Sequence, residues 1–155
     1  MIVLGLLAVV MLLALPTFQN LLQGDLQREV NHLTGVIRLL RNEAVLTHTR
    51  FRVVLEPKEN RFYVEQENLD GQYVRREQPK VLQAHPFPSS FKIKDVVHFG
   101  ELIRPDRGVT VPIQLDSSGM VDPFLLHFNE GETPYTLRVS GFTGRVELLE
   151  GHVDQ

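Results

Sequence analysis

At 155 residues the chain has room for one domain with one core, and its formal net charge of -3, with Lys and Arg scattered along it, offers no basic footprint for nucleic acid. With no cysteine it has no disulfide, thiolate metal site or Cys nucleophile, although exported proteins can also lack cysteine, so the compartment stays open. No Asn-x-Ser/Thr sequon, low-complexity tract or internal repeat is present.

The chain opens on an apolar run, Met1 to Pro16, and its first charged residue is Asp25. About 15 residues at roughly 1.5 Å each span near 23 Å, short of the roughly 30 Å hydrocarbon core of a bilayer. A signal peptide would need a basic flank before the run and a small-residue cleavage site after it, and neither is there. A buried core helix is the plainer alternative. The preferred reading is a membrane arm whose basic flank lies upstream, so that Met1 is not the natural start. From Phe18 to about Thr47, apolar residues recur at Leu22, Leu26, Val30, Leu33, Ile37, Leu40 and Ala44, in steps of four and three that draw one stripe along a helix. Run together, the two parts make one long helix, apolar all round before Pro16 and amphipathic after Gln19. Leu26, Val30, Leu33, Ile37, Leu40 and Ala44 are the expected contacts with a sheet.

Beyond the helix the period becomes two. Phe51 to Leu55, Arg61 to Glu67 and Gln72 to Arg75 read as strands, joined by hairpin-length turns at Pro57 to Asn60 and Asn68 to Gly71. Pro79 to Pro88, with three prolines, reads as a loop crossing the surface. Phe91 to Phe99, Val109 to Leu115, Phe124 to Phe128, Tyr135 to Val139 and Arg145 to Leu149 follow as further short strands. The expected fold is α+β: a long N-terminal helix packed on an antiparallel β-sheet domain of about eight strands, with residues 1–22 as a transmembrane or assembly arm and 23–155 as the domain.

Signals for chemistry are weak. The histidines His32, His48, His85, His98, His127 and His152 show none of the close spacings that hold zinc, so no metal site is expected. The serines sit in no GxSxG elbow, and no phosphate-cradling glycine loop occurs. Asp116-Ser117-Ser118-Gly119 with Asp122 lacks the oxygen spacing and terminal Glu of a calcium loop and reads as a turn. No catalytic residue and no cofactor are expected.

Three stretches nonetheless resemble type IV pilin-like proteins, most closely minor pseudopilins of the H class of the type II secretion system. The run IVLGLLAVVMLLALPTFQ is similar to the apolar arm of a prepilin. Ile37 to Leu55, IRLLRNEAVLTHTRFRVVL, resembles the passage from helix into first strand, with its Arg-x-Glu-Ala core, and Val139 to Leu149, VSGFTGRVELL, resembles the last hairpin. From about Glu67 to Gly108 the likeness is one of style only. The resemblance implies a structural subunit that assembles with other pseudopilins or pilins through arm residues Val3, Leu4, Leu7, Val10, Met11, Leu15 and Pro16. It further implies a single-pass inner-membrane location with the C-terminal domain in the periplasm, contact with membrane lipid, and an assembly platform that builds the pseudopilus. The family's cleavage motif, a Gly cut by prepilin peptidase before an N-methylated Phe, is missing from this chain and expected just upstream of Met1. Alternatives are a minor pilin of a type IV pilus, including those that take up DNA, and a membrane-tethered periplasmic binding module or enzyme. The first needs exposed Arg and Lys, whereas the tail Glu147, Glu150 and Asp154 is acidic. The second needs convergent polar groups, which the sequence does not display. The segments 79–88 and 101–108 either carry partner specificity or are plain connections.

Overall fold

One α-helix, α1 (Ile2–Thr47), accounts for about the first third of the described residues. In the computed structural model the backbone is described for residues 2–153 and the side chains for residues 24–153. Along the helix, steps of three and four bring Leu26, Val30, Leu33, Val36, Ile37, Leu40 and Ala44 onto one buried face. Asp25, Gln27, Arg28, Asn31, Arg38 and Asn42 face water. The helix stops at Thr47, whose hydroxyl donates to the Glu43 carbonyl at 2.7 Å, and His48 turns the chain with a left-handed φ of 53°.

Among the described residues ten strands follow: β1 (Phe51–Glu56), β2 (Arg61–Glu67), β3 (Tyr73–Arg75), β4 (His85–Pro86), β5 (Phe91–His98), β6 (Glu101–Ile103), β7 (Val111–Leu115), β8 (Phe124–Glu130), β9 (Thr133–Val139) and β10 (Val146–Glu150). They form two antiparallel sheets. The first has the order β3-β2-β1-β7, and β4 joins β3 on the outer edge of β2, one at each end. The second has the order β10-β9-β8-β5-β6. The α+β class expected from the change of period is the class found.

Period-two alternation decides which residues meet the helix. In the first sheet Val53 lies between Val64 and Ile113, and Leu55 between Phe62 and Val111, so each row is apolar on the inner face. In the second, Phe124, Leu126 and Phe128 of β8 sit beside Leu137 and Val139 of β9. The stripe of α1 shares one core with both. A bulge between Ile93 and Asp95 changes the parity of β5. Phe91, Ile93 and Val96 all stay buried, and Asp95 comes to pair with His127.

Two regions depart from expectation. The count of about eight strands becomes ten because β4 and β6, two and three residues long, are too short to show a period. The segment 79–88 is also no plain surface crossing. Its prolines keep most of it out of a ladder, but Leu82 and Phe87 are buried and anchor it to the core.

Candidate functional site

The geometry most specific to this chain lies where α1 hands over to the sheets. Arg41, on the rim of the buried stripe, reaches two loops that are distant in sequence. Its Nε donates to the Gly119 carbonyl at 2.7 Å, Nη1 to the Thr143 carbonyl and Nη2 to the Phe142 carbonyl at 3.4 Å. A guanidinium is a planar fork of donors, which suits three carbonyls converging from two loops. Two positions along, Glu43 pairs with Arg76 at 3.1 Å, and Arg76 also donates to Gln66 Oε1. Ala44 is fully buried, on the face that meets the sheets. The Arg-x-Glu-Ala core is thus two polar ties and one close-packed position.

The glycines of the last hairpin are the other half of the same clamp. Gly144 has φ 62°, and a Cβ there would lie 2.6 Å from Arg41 Cδ. Gly141 passes so near Val121 that a Cβ would come 2.8 Å from its carbonyl oxygen. The opposite loop is shaped by Asp116, whose carboxylate accepts from the Ser118 amide at 2.8 Å, the Ser118 hydroxyl at 2.6 Å and the Met120 amide at 3.1 Å. These bonds hold the Asp116 carboxyl below its ordinary range, the Ser118 hydroxyl contributing most. The segment is a turn, as its composition implies. Val45, Met120 and Phe142 stay exposed around the clamp.

Leu26, Val30, Leu33, Ile37, Leu40 and Ala44 all lie in the core shared by α1 and the two sheets. The side chains of Val3, Leu4, Leu7, Val10, Met11, Leu15 and Pro16 lie outside the described residues, although the helical backbone runs through their positions. Among the residues whose side chains are described, no helix is long and apolar enough to cross a membrane.

Folding assembles histidines that the sequence keeps apart. Glu29 and His32 of α1 meet His85 of β4, and Asp95 and His127 meet His152, each trio with its donor atoms within 4.8 Å of one another. Spacing alone could not reveal either group, because each draws on elements far apart in the chain; the one local trace is Glu29-x-x-His32, a single helical turn. In the second group His127 is spanned by two acceptors, Asp95 at 2.5 Å and the Val153 carbonyl at 3.2 Å. Thr136 continues this fastening of the C-terminal tail, donating to the Gly151 carbonyl at 2.7 Å and accepting from the Val153 amide at 3.1 Å.

Many arginines are committed to acids: Arg52 to Glu65, Arg61 to Glu56, Arg50 to Glu67, and Arg138 and Arg145 together to Glu147. The Arg138 hydrogen bond and then the Arg145 charge hold the Glu147 carboxyl below its usual range. Glu130, at the end of β8, is pushed the other way, by burial and then by the charge of Asp25. Its folded value lies above its unfolded one, so it costs stability at neutral pH, and that cost is relieved as pH falls through the raised value. Glu130→Gln is therefore expected to raise the melting temperature slightly at pH 7. The gain should vanish in melts below the ordinary glutamate range.

No protein-family model and no curated protein matches the sequence. Among solved structures, two of the minor pseudopilin EpsH from the type 2 secretion system of Vibrio cholerae align with it. In both cases the TM-score is 0.64 at 20% identity over 84% of this chain, and the alignment covers 99% of one EpsH chain and 97% of the other. The likeness is one of fold: a helix laid across antiparallel sheets in the manner of a pseudopilin.

Proposed function

We propose that this chain is a structural minor pseudopilin of a type II secretion system. It is held in the bacterial inner membrane with its C-terminal domain in the periplasm, then packed with sibling pseudopilins into a short pseudopilus that supports protein export. One observation carries the reading: a single helix, Ile2–Thr47, joins an uncharged apolar sequence to a half fastened onto two sheets. At about 1.5 Å per residue that helix is roughly 70 Å long, while a domain of the remaining size is roughly 35 Å wide. The arm from Val3 to Pro16 then has lipid as its solvent before assembly and neighbouring arms afterwards, so little apolar area meets water in either state. Residues 1–22 serve as the arm and 23–155 as the periplasmic domain. Processing and N-methylation by prepilin peptidase belong to this reading, and the inner-membrane platform drives assembly. The likeness of fold to EpsH supports it. Nothing in the role requires catalysis or a cofactor.

Leu7→Lys tests the arm. A lysine at the centre of a membrane helix costs about 2.5–3.5 kcal/mol on insertion scales. The variant is expected to leave the membrane fraction and the filament while its domain melts as before, measured by fractionation, cross-linking and circular dichroism. Secretion at the unaltered level by Leu7→Lys would overturn the proposal.

A further inference from the structure

We infer that Glu29, His32 and His85 form a binding site for a first-row divalent cation, best suited to Zn2+, that staples α1 to β4. The trio combines one carboxylate and two imidazoles, the donor types zinc takes when it has three protein ligands and one open position. Their donor atoms already lie within 4.8 Å of one another. Ligands around a tetrahedral zinc sit roughly 3.4 Å apart, given Zn–N and Zn–O bonds near 2.1 Å, so the donor atoms need to close by little more than about 1 Å. Glu29 and His32 are one helical turn apart on a rigid element, and His85 Nε2 is already 2.7 Å from Glu29 Oε2.

Hydrogen bonding leaves one atom of this group unexplained. His32 Nδ1 is buried with no hydrogen-bond partner, while its ring lies 4.1 Å from that of His85 and 5.8 Å from that of Phe62. With the ring proton on Nε2, Nδ1 presents a lone pair that packing does not use and that a cation would take. The other histidine trio does not share this property. Both nitrogens of His127 are engaged, by Asp95 and by the Val153 carbonyl, so that ring has no orphaned nitrogen to account for. The donor set also chooses among ions: two imidazoles favour zinc, copper and nickel over the oxygen-seeking calcium and magnesium.

Such a staple would tie the helix to a segment whose ladder pairing with β2 is short, Arg61–Pro86 and Phe62–His85. The inference is independent of the proposed function, since it concerns a site within the domain.

The test is calorimetric titration of ZnCl2 into the chelator-stripped full chain, kept in mild detergent. One equivalent is expected to bind, with a rise in melting temperature. Glu29→Gln and His32→Gln should each weaken binding by about tenfold or more, since loss of even an outer-shell partner costs that much. His152→Gln should leave it unchanged, and CaCl2 should not compete. In the unaltered chain, where no folding defect can intervene, Zn2+ should shift the imidazole NMR signals of His32 and His85. Absence of heat and of a melting shift, binding untouched by both helix substitutions, competition by calcium, or shifts at His127 and His152 instead would each overturn the inference.

Discussion

Phe128→Ala is expected to lower the unfolding free energy by about 3–5 kcal/mol, the range for removing a fully buried phenyl ring. Phe128 is 1% exposed and lies at the centre of an aromatic row. Its ring stacks on Phe91 at 3.8 Å, Phe91 on Phe87 at 4.6 Å, and Tyr135 flanks the other side at 5.7 Å. The row joins the middle of the second sheet to the segment that carries β4, so the cavity would be bounded by ladder strands that cannot close over it. For a domain with roughly 5–15 kcal/mol in total, such a loss is a large share. Phe142→Ala is the control. That ring is 81% exposed, and its loss should move stability by no more than about 0.5 kcal/mol. Urea midpoints at constant slope measure both. Equal effects of the two substitutions would mean that the row does not bear on stability.

Gly144→Val is expected to cost about 3 kcal/mol, for two separable reasons. The backbone at φ 62° is left-handed, which costs a residue with a side chain about 1–2 kcal/mol and a β-branched one the most. The new Cβ would also stand 2.6 Å from Arg41 Cδ and 2.9 Å from its Nη1, driving the guanidinium off the carbonyls of Gly119, Phe142 and Thr143. Arg41→Ala removes the second cost and leaves the first. In that background the Gly144→Val penalty should therefore fall to about 1–2 kcal/mol, a coupling of at least about 1 kcal/mol in a double-mutant cycle. Additivity within about 0.5 kcal/mol would show that the two positions act alone.

The elements most legible in the sequence are those with the longest periods. Steps of four and three marked the helical stripe through to its end at Thr47, and each long strand shows aromatic or β-branched residues between turn formers. Val36, fully buried, lies on the stripe but outside the predicted set, because the alternate steps pass from Leu33 straight to Ile37. β4 and β6 stayed hidden because two or three residues carry no periodicity, and Pro86 in a strand argues against one unless it lies on an edge, as it does here. The clamp was half legible. The Arg-x-Glu-Ala core at Arg41 to Ala44 and the last hairpin, Val139 to Leu149, stood out as two separate stretches, but only the fold shows that Arg41 reaches that hairpin. Of the histidine trios only the Glu29-x-x-His32 turn was legible, since His85 reaches the helix through the pairing of Phe62 with His85 and Asp95 reaches His127 through a bulge.

The order of the strands also sets a timetable. A ribosome delivers α1 first, and the β1–β2 hairpin can close soon afterwards because its partners are neighbours in sequence. The other edge of β1 waits for β7, with Phe51 pairing to Leu115, and α1 meets β10 only after all the intervening strands have been made. Until then the stripe from Leu26 to Ala44 has no complete cover. A chain that stops short of Val146 should present that stripe to holdase chaperones and proteases, which limited proteolysis of the truncated chain would show.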